Sequence, residues 1–222
     1  MKLTSTLLLA LFLLVVNQCS LFHEPINSHS GIYSANKKWT FLATFNDSNE
    51  IVTSQDTLIL KTEDEAFMAA QNKIVWTLIH TYSPAPNQTS VETTDNVTGL
   101  VDTEQELWLH PPRFKGYEEY TELAPFPKIK YPLQIGATWK DKFNLGTHSS
   151  EERGSEVEYS YTLRQIDTIG SNPIQVNYLV EGIGVSKAGR YTSKAWFNQK
   201  LGFTKFEYRT PLNNCLTISI VQ

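Results

Sequence analysis

Alternating apolar and polar side chains predict that most of the chain beyond residue 36 folds into β-strands. In the first such segment, Trp39, Phe41, Ala43 and Phe45 alternate with lysine, threonine and asparagine. A period of two with one apolar face is typical of an antiparallel strand that is buried on one side. The pattern is clearest over residues 156–167, where one face carries Val157, Tyr159, Tyr161 and Leu163.

Further strands follow at a spacing of roughly ten residues, with turn residues between them. They are predicted at residues 51–60, 74–81, 100–110, 138–145, 174–182, 190–198, 203–209 and 216–221. Residues 74–81 are apolar on both faces, which indicates a central strand covered on both sides. Many short strands separated by turns predict a mostly β, antiparallel meander that forms a sandwich, a partly open barrel or a strongly curved sheet.

Three segments interrupt this pattern. Thr62-Glu63-Asp64-Glu65 has the spacing of a capping box before an apolar stretch, so one short helix is predicted over residues 63–71. Residues 83–98 are rich in proline, threonine, serine and asparagine, and we expect an exposed loop or a weak edge hairpin there. Residues 111–135 contain six proline or glycine residues, which predicts an irregular excursion.

The N-terminal segment has the features of a secretory signal peptide. Lys2 precedes an unbroken run of ten apolar residues from Leu7 to Val16. Ten helical residues span roughly 15 Å, about half of a bilayer's hydrocarbon core, so the run is too short for a transmembrane anchor. Residues 1–18 are therefore predicted to be a signal peptide. The run lacks a small-residue pattern for ordinary cleavage, and Cys19 follows it directly.

This segment resembles the lipobox of bacterial lipoproteins, with Val16 at position −3 and Cys19 as the acylated residue. It departs from the usual pattern at position −1, where Gln18 stands instead of a small residue. The resemblance implies that several acyl chains on Cys19 anchor the protein stably in a membrane. Ser20 resembles the residue that permits sorting to the outer membrane. We therefore expect an outer-membrane lipoprotein, facing the periplasm or exposed at the surface, or a secreted protein if Cys19 is not acylated.

The remaining chain divides into a tether and one domain. Residues 19–36 are polar and irregular, and they are predicted to be the lipidated cysteine and a tether. Residues 37–222 are predicted to form a single β domain, which fits the usual size of roughly 100–200 residues. If Cys19 carries lipid, Cys215 has no disulfide partner. Because Cys215 lies in an apolar stretch, we expect a buried, unreactive thiol.

Residues 100–205 carry four short motifs: Leu109-His110-Pro111-Pro112-Arg113, Pro125-Phe126-Pro127, Pro132-Leu133-x-Ile135-Gly136-x-x-Trp139, and Trp196-Phe197 followed by Leu201-Gly202-Phe203. Together they are similar to motifs of uncharacterised cell-envelope lipoproteins of Bacteroidota. The resemblance implies an envelope β domain, and it implies neither an activity nor catalytic residues.

Composition and charge narrow the range of partners. Apolar residues make up 41% of the 222 residues and aromatic residues 12%, which suits a sizeable core built from strands. The net charge of −4 becomes −5 when Lys2 is removed with the signal peptide. Nucleic acids and anionic lipid surfaces attract basic proteins, so we expect no nucleic-acid partner.

The predicted strand over residues 100–110 carries the best candidate for a metal site. Asp102, Glu104, Glu106 and His110 fall on one face at a period of two, and such side chains could hold a hard cation such as Ca²⁺. Neighbours on one face lie roughly 7 Å apart, so they would need ligands from another strand. The plain alternative is the solvated face of an exposed strand. No cofactor is indicated.

Five aromatic residues are the candidates for a ligand site: Trp76, Trp139, Tyr159, Tyr161 and Trp196. They could line a pocket for an apolar ligand on a curved sheet, or they could simply fill the core. The sequence contains no nucleophile elbow, zinc-protease motif, P-loop, dinucleotide fingerprint or Cys-x-x-Cys motif, so no catalytic residue is predicted.

The sequence therefore predicts a lipid-anchored envelope protein with a non-enzymatic β domain, which binds an apolar ligand or a protein partner or has a structural role. The alternative is a hydrolase of envelope glycans or lipids that acts through acids such as Glu106. A large apolar cavity would favour a carrier. A cleft where Glu106 or Asp102 meets a titratable group of another strand would favour the hydrolase. A solid core with neither would leave a scaffold or interaction role.

Overall fold

The computed structural model describes residues 31–68, 70–85, 88–144, 156–169 and 175–221. The predicted signal peptide, Cys19 and residues 20–30 of the predicted tether lie outside these ranges. Among the described residues, no helix combines the length and the apolar character that a membrane span requires.

Twelve strands form one antiparallel sheet, which confirms the predicted mostly β meander. The strands are β1 (Lys38–Asn46), β2 (Val52–Met68), β3 (Gln71–Tyr82), β4 (Ser90–Asp102), β5 (Glu106–Leu109), β6 (Lys128–Lys130), β7 (Thr138–Asn144), β8 (Glu156–Ile169), β9 (Gln175–Ser186), β10 (Gly189–Asn198), β11 (Gly202–Arg209) and β12 (Cys215–Ile220). Their order across the sheet is β6-β5-β4-β3-β2-β1-β12-β11-β10-β9-β8-β7. The first and last strands therefore pair in the middle of the sheet, and β6 and β7 form its edges.

The connection between the two edge strands requires the sheet to curve strongly. Only residues 131–137 join β6 to β7, and an extended chain of that length reaches less than about 30 Å. A flat sheet of this size would be roughly 50 Å wide. Within the described residues the two edges are not paired, so the sheet stays open.

An ion-pair network joins these two edges. Lys128 Nζ of β6 lies 2.9 Å from Glu106 Oε2 of β5 and 2.9 Å from Asp141 Oδ2 of β7. Burial disfavours the charged form of Lys128, but hydrogen bonds to both carboxylates outweigh it and raise the lysine pKa. The network therefore holds the edges together through side chains, without a backbone ladder.

The inner face of the curved sheet carries the core, because the period of two places one apolar set on that side of every strand. On β1 the buried residues are Phe41, Ala43 and Phe45, as predicted. The other strands contribute Leu58, Leu60, Ile74, Trp76, Leu100, Val157, Tyr159, Tyr161, Leu163, Val180, Phe197, Phe206, Tyr208, Leu216 and Ile218. Cys215 is buried, as expected.

The segment between β5 and β6, residues 110–127, covers this inner face. It contains the only helix of the described residues, α1 (Glu118–Thr121), and it buries Phe114, Tyr117 and Phe126. The segment reaches β9 at Gly182, where a Cβ atom would lie 2.7 Å from Pro125 Cβ. Glycine at this position therefore allows the covering segment to lie directly on the sheet.

The helix predicted over residues 63–71 is wrong, because β2 continues to Met68 and β3 begins at Gln71. The acidic residues of the supposed capping box make ion pairs on the strands instead. Glu63 Oε1 lies 2.8 Å from Lys61 Nζ, and Glu65 Oε2 lies 2.7 Å from Lys73 Nζ on β3. Pairing with β3 therefore overrides the local helix signal.

The strand predicted over residues 100–110 is also wrong, because a turn divides it into the end of β4 and the whole of β5. The hydroxyl of Thr103 accepts hydrogen bonds from the backbone N–H groups of Gln105 and Glu106, at 3.3 and 3.2 Å.

Residues 90–98, expected in an exposed loop or weak hairpin, belong to β4 and pair along their length with β3. The outer face of β3 is only half-buried at Val75, so that strand is not fully covered on both sides.

Candidate binding groove

The inner face turns from apolar to polar where β2, β3 and β4 extend beyond the core. On β2 the inward series Leu60, Leu58 is continued by Asp56, and on β3 the series Trp76, Leu78 is continued by His80. Because the period of two is unbroken, these polar side chains stay on the same face as the core. The register pairs His80 with Glu92 of β4.

The polar end of these strands forms one wall of a groove, and residues 113–120 of the covering segment form the other. The groove has a volume of about 650 Å³, within the roughly 300–1,000 Å³ of small-ligand sites. Its lining includes Phe45, Asp56, His80, Asn96, Arg113 and Tyr120. Side chains from four strands and one loop therefore meet at this place.

A hydrogen-bonded network lies at the base of the groove. Asp56 is only 8% exposed, and its two carboxylate oxygens have different partners. Oδ1 lies 2.5 Å from His80 Nδ1, and Oδ2 accepts a hydrogen bond of 3.0 Å from the Tyr117 hydroxyl. A buried carboxylate requires such partners. Burial, and then the charge of Asp56, raise the pKa of Tyr117, so this phenol stays protonated and donates.

The network fixes the orientation of His80. Its Nδ1 faces the buried carboxylate of Asp56, so Nε2 on the opposite side of the ring points away from Asp56. The side chain is 41% exposed and stacks on Tyr82, with ring centroids 5.8 Å apart. A carboxylate on one ring nitrogen selects the tautomer and holds the ring in place. Because Asp56 engages Nδ1, Nε2 is the ring nitrogen that His80 presents to a ligand at a fixed position, as an acceptor in the neutral ring and as a donor in the protonated ring.

An aromatic cluster forms the apolar part of the lining. Phe45 packs edge-on against Tyr117 and Tyr120, with centroid distances of 4.9 and 5.4 Å. Phe114 packs edge-on against Tyr117 at 5.6 Å. Tyr120 is half-buried, and burial, followed by the charge of Glu119, raises its pKa. These rings provide a rigid, uncharged surface beside the polar network.

Two further residues of the groove lining, Asn96 and Arg113, are held in place by neighbouring groups. Asn96 Oδ1 accepts a hydrogen bond of 3.1 Å from the Arg113 backbone N–H. The Arg113 Nε atom lies 2.8 Å from Glu122 Oε2. Asp95 pairs with Thr77, which lies between the inward-facing Trp76 and Leu78, so its side chain lies on the outer face, where Oδ1 accepts a hydrogen bond of 2.6 Å from the Thr77 hydroxyl. The charge of Arg113 is compensated by Glu122.

The four residues predicted to bind a metal are not brought together. Asp102 ends β4, Glu104 lies in the turn, and Glu106 pairs with Lys128 on β6. His110 is buried, and its Nδ1 donates a hydrogen bond of 2.9 Å to the Pro111 carbonyl. Among the residues that the structure describes, no group of three or more His, Cys, Asp or Glu side chains is arranged to hold a metal ion.

The five aromatic candidates do not line a common pocket. Trp76, Tyr159 and Tyr161 are buried in the core, and Trp139 stacks on Tyr161 with ring centroids 5.2 Å apart. Trp196 contacts Lys205, whose Nζ lies 4.6 Å from its ring centroid. Trp196 also follows the buried Ala195 and therefore points to the outer face. Four of the five thus belong to or contact the core.

The groove residues were not among the sequence candidates. Asp56 and His80 are visible in the sequence as polar residues at positions where the alternation would place apolar ones. Tyr117 has no comparable signal, because it belongs to a segment without regular periodicity. Its contact with Asp56 joins residues that are 61 positions apart.

Two distant neighbours are among the solved structures that are similar to this chain. A predicted lipoprotein of Parabacteroides distasonis aligns over 85% of this chain and 96% of its own, with 10% identity and a TM-score of 0.38. A predicted exported protein of Bacteroides fragilis with a YmcC-like fold aligns over 84% and 95%, with 5% identity and a TM-score of 0.31. Neither a protein-family model nor a curated protein matches the chain. Similarity at this level carries no argument about ligand or activity.

Proposed function

We propose that this chain is a lipid-anchored protein of the bacterial cell envelope, and that its β domain binds a ligand in the groove beside His80 without chemical conversion. The observation that carries the binding role is the pairing of His80 with buried Asp56, which presents Nε2 at a fixed position in a groove of small-ligand size. The anchor rests on the sequence of residues 1–20, and in particular on Cys19.

The filled inner face favours the groove over an apolar cavity as the ligand site. The covering segment buries Phe114, Tyr117 and Phe126 against the sheet, and the predicted ligand aromatics Trp76, Tyr159 and Tyr161 are themselves buried. An apolar carrier needs an unfilled apolar volume of ligand size. The observed packing therefore supports a ligand that binds at the polar end of the sheet.

The groove lies at the opposite end of β1 from Ile32 and Tyr33, which lie near the first described residues of the chain. Ile32 and Tyr33, in the last part of the predicted tether, are buried, and the Tyr33 hydroxyl accepts a hydrogen bond of 2.8 Å from Phe203 N–H. This contact lies near the start of β1, whereas Phe45 of the groove lies near its end. Seven residues of strand separate these ends by roughly 23 Å. The groove is therefore separated from the described end of the predicted tether by most of the length of β1.

A hydrolase is the second candidate, and one observation favours it. A histidine held by a buried carboxylate is the arrangement that general bases use, and His80 with Asp56 has it. In that case His80 would take a proton from a water molecule, and the ligand would be recovered cleaved. If the ligand is recovered intact after prolonged incubation with the protein, binding without conversion is supported. If the ligand is cleaved and His80→Gln abolishes the cleavage, the hydrolase is supported.

The anchor is tested by substituting each cysteine separately. Cys19→Ala is expected to abolish incorporation of labelled palmitate and to release the protein from the membrane fraction, because one cysteine carries all the acyl chains. Cys215→Ala is the matched control and is expected to leave both unchanged, since Cys215 is buried in the folded domain. Palmitate retained by Cys19→Ala would refute the proposed anchor.

A further inference from the structure

We infer that the ligand of the groove is a neutral, hydroxyl-rich saccharide. This inference rests on the proposed binding function and names the chemical class of its ligand. Its starting point is the combination of a pre-oriented histidine, an aromatic surface and partnered charges in one groove.

The polar groups of the groove suit hydroxyl groups better than they suit an ion. Each hydroxyl both donates and accepts a hydrogen bond, so a saccharide needs both kinds of partner side by side. His80 presents Nε2 at a fixed position, where it accepts from a hydroxyl if the ring is neutral and donates to one if the ring is protonated, and Asn96 carries an amide that donates and accepts. The Asn96 carbonyl is held by the Arg113 backbone, which leaves the amide NH₂ as the donor.

The charges of the groove argue against a strongly charged ligand. The guanidinium of Arg113 is already paired with Glu122, and Asp56 has a partner on each oxygen. Besides Asp95, whose side chain lies on the outer face, the exposed charged residues of the lining are Glu92, Lys115 and Glu119, which include both signs. A ligand with a large net charge of either sign would therefore meet at least one like charge.

The aromatic cluster provides the apolar contact that a sugar ring requires. One face of a pyranose ring carries mainly C–H groups, which pack favourably against an aromatic ring. Tyr120 is the partly accessible ring of the cluster, and its edge-on contact with Phe45 limits its movement. A rigid aromatic contact costs little conformational entropy on binding. Tyr120 and His80 are therefore the expected main contacts.

The inference is tested by calorimetric titration of the full-length protein in detergent with cellobiose, maltose and N,N′-diacetylchitobiose. At least one of these disaccharides is expected to bind saturably. His80→Gln and Tyr120→Ala are each expected to weaken that binding by about tenfold or more. Trp196→Ala, an aromatic substitution on the outer face, is the matched control and is expected to leave the affinity unchanged. Circular dichroism shows whether each variant is folded.

The outcomes separate this inference from the proposed function. Binding that both groove variants leave intact would place the sugar elsewhere and overturn the inference. If no disaccharide binds, native mass spectrometry of the protein purified from its own membranes shows whether it retains another ligand. A retained non-saccharide ligand that His80→Gln loses would overturn the inference and leave the binding function standing. If no disaccharide binds and no ligand is retained, the saccharide inference and the proposed binding function are both overturned.

Discussion

Trp76→Ala is expected to lower the free energy of unfolding by about 3–5 kcal/mol, the usual cost of removing a large buried aromatic side chain. Trp76 is fully buried and packs against Phe41, with ring centroids 5.7 Å apart. Its Nε1 also donates a hydrogen bond of 3.0 Å to the His110 carbonyl. The substitution therefore opens a cavity beneath the covering segment and leaves a buried carbonyl without its donor.

Trp196→Ala is the matched control for this prediction, because it removes the same side chain from the outer face. Its loss is expected to lower the free energy of unfolding by only about 1 kcal/mol, mainly because the contact with Lys205 is removed. Trp76→Phe keeps a core ring and removes the hydrogen bond, so an intermediate cost is expected. Urea denaturation of the full-length protein measures all three. Equal costs for the two alanine variants would contradict the packing of the inner face.

Acid is expected to destabilise the fold through His110, by about 3 kcal/mol between pH 6.5 and pH 4. Burial, followed by the positive charge of Arg113, lowers the pKa of His110 to about 4. In the unfolded chain this pKa returns to about 6.5. Between these values the unfolded chain binds more protons than the folded one. The contribution is therefore complete above pH 6.5, and it is lost as the pH falls towards 4.

His110→Asn isolates this effect. The asparagine amide can donate to the Pro111 carbonyl as His110 Nδ1 does, and it does not titrate. The difference in unfolding free energy between wild type and variant, measured by denaturation at each pH, should fall by about 3 kcal/mol from pH 6.5 to 4. Carboxylates that titrate in this range affect both proteins alike. A difference that does not change with pH would show that His110 is not buried in its neutral form.

The strands and their inner faces could be predicted because the alternation of apolar and polar residues in a half-buried strand shows which side chains face the core. Phe41, Ala43 and Phe45 are buried as expected, and so are Val157 and Tyr159. The pairing of β1 with β12 and the curvature could not be predicted. They depend on contacts between distant segments and on the short connection from β6 to β7.

Two of the incorrect assignments have related causes, because contacts that a local pattern does not show decide the structure in both places. Residues 63–68 satisfy a helix-capping pattern but extend β2, where Ala66 and Met68 pair with Asn72 and Gln71 of β3. The predicted metal residues follow a strict period of two, but Thr103 stabilises a turn between Asp102 and Glu106. A period measured across that turn no longer describes one face of one strand.

The candidate groove was only partly accessible to prediction. Asp56 and His80 break the apolar series of two neighbouring strands at matching positions, and this signal could have been found in the sequence. The third partner, Tyr117, comes from the covering segment. That segment's proline-rich composition predicts irregular structure but gives no information about its position on the sheet.

The central claim, that the ligand binds beside His80 and outside the filled inner face, is tested most directly by NMR of ¹³C-labelled histidine rings. The chain has five histidines, and the variants His80→Gln and His110→Asn assign the two relevant signals. During titration with the disaccharide that binds in calorimetry, the His80 signal should shift saturably while the His110 signal stays in place. A shift at His110, or an unchanged His80 signal at saturation, would contradict this account.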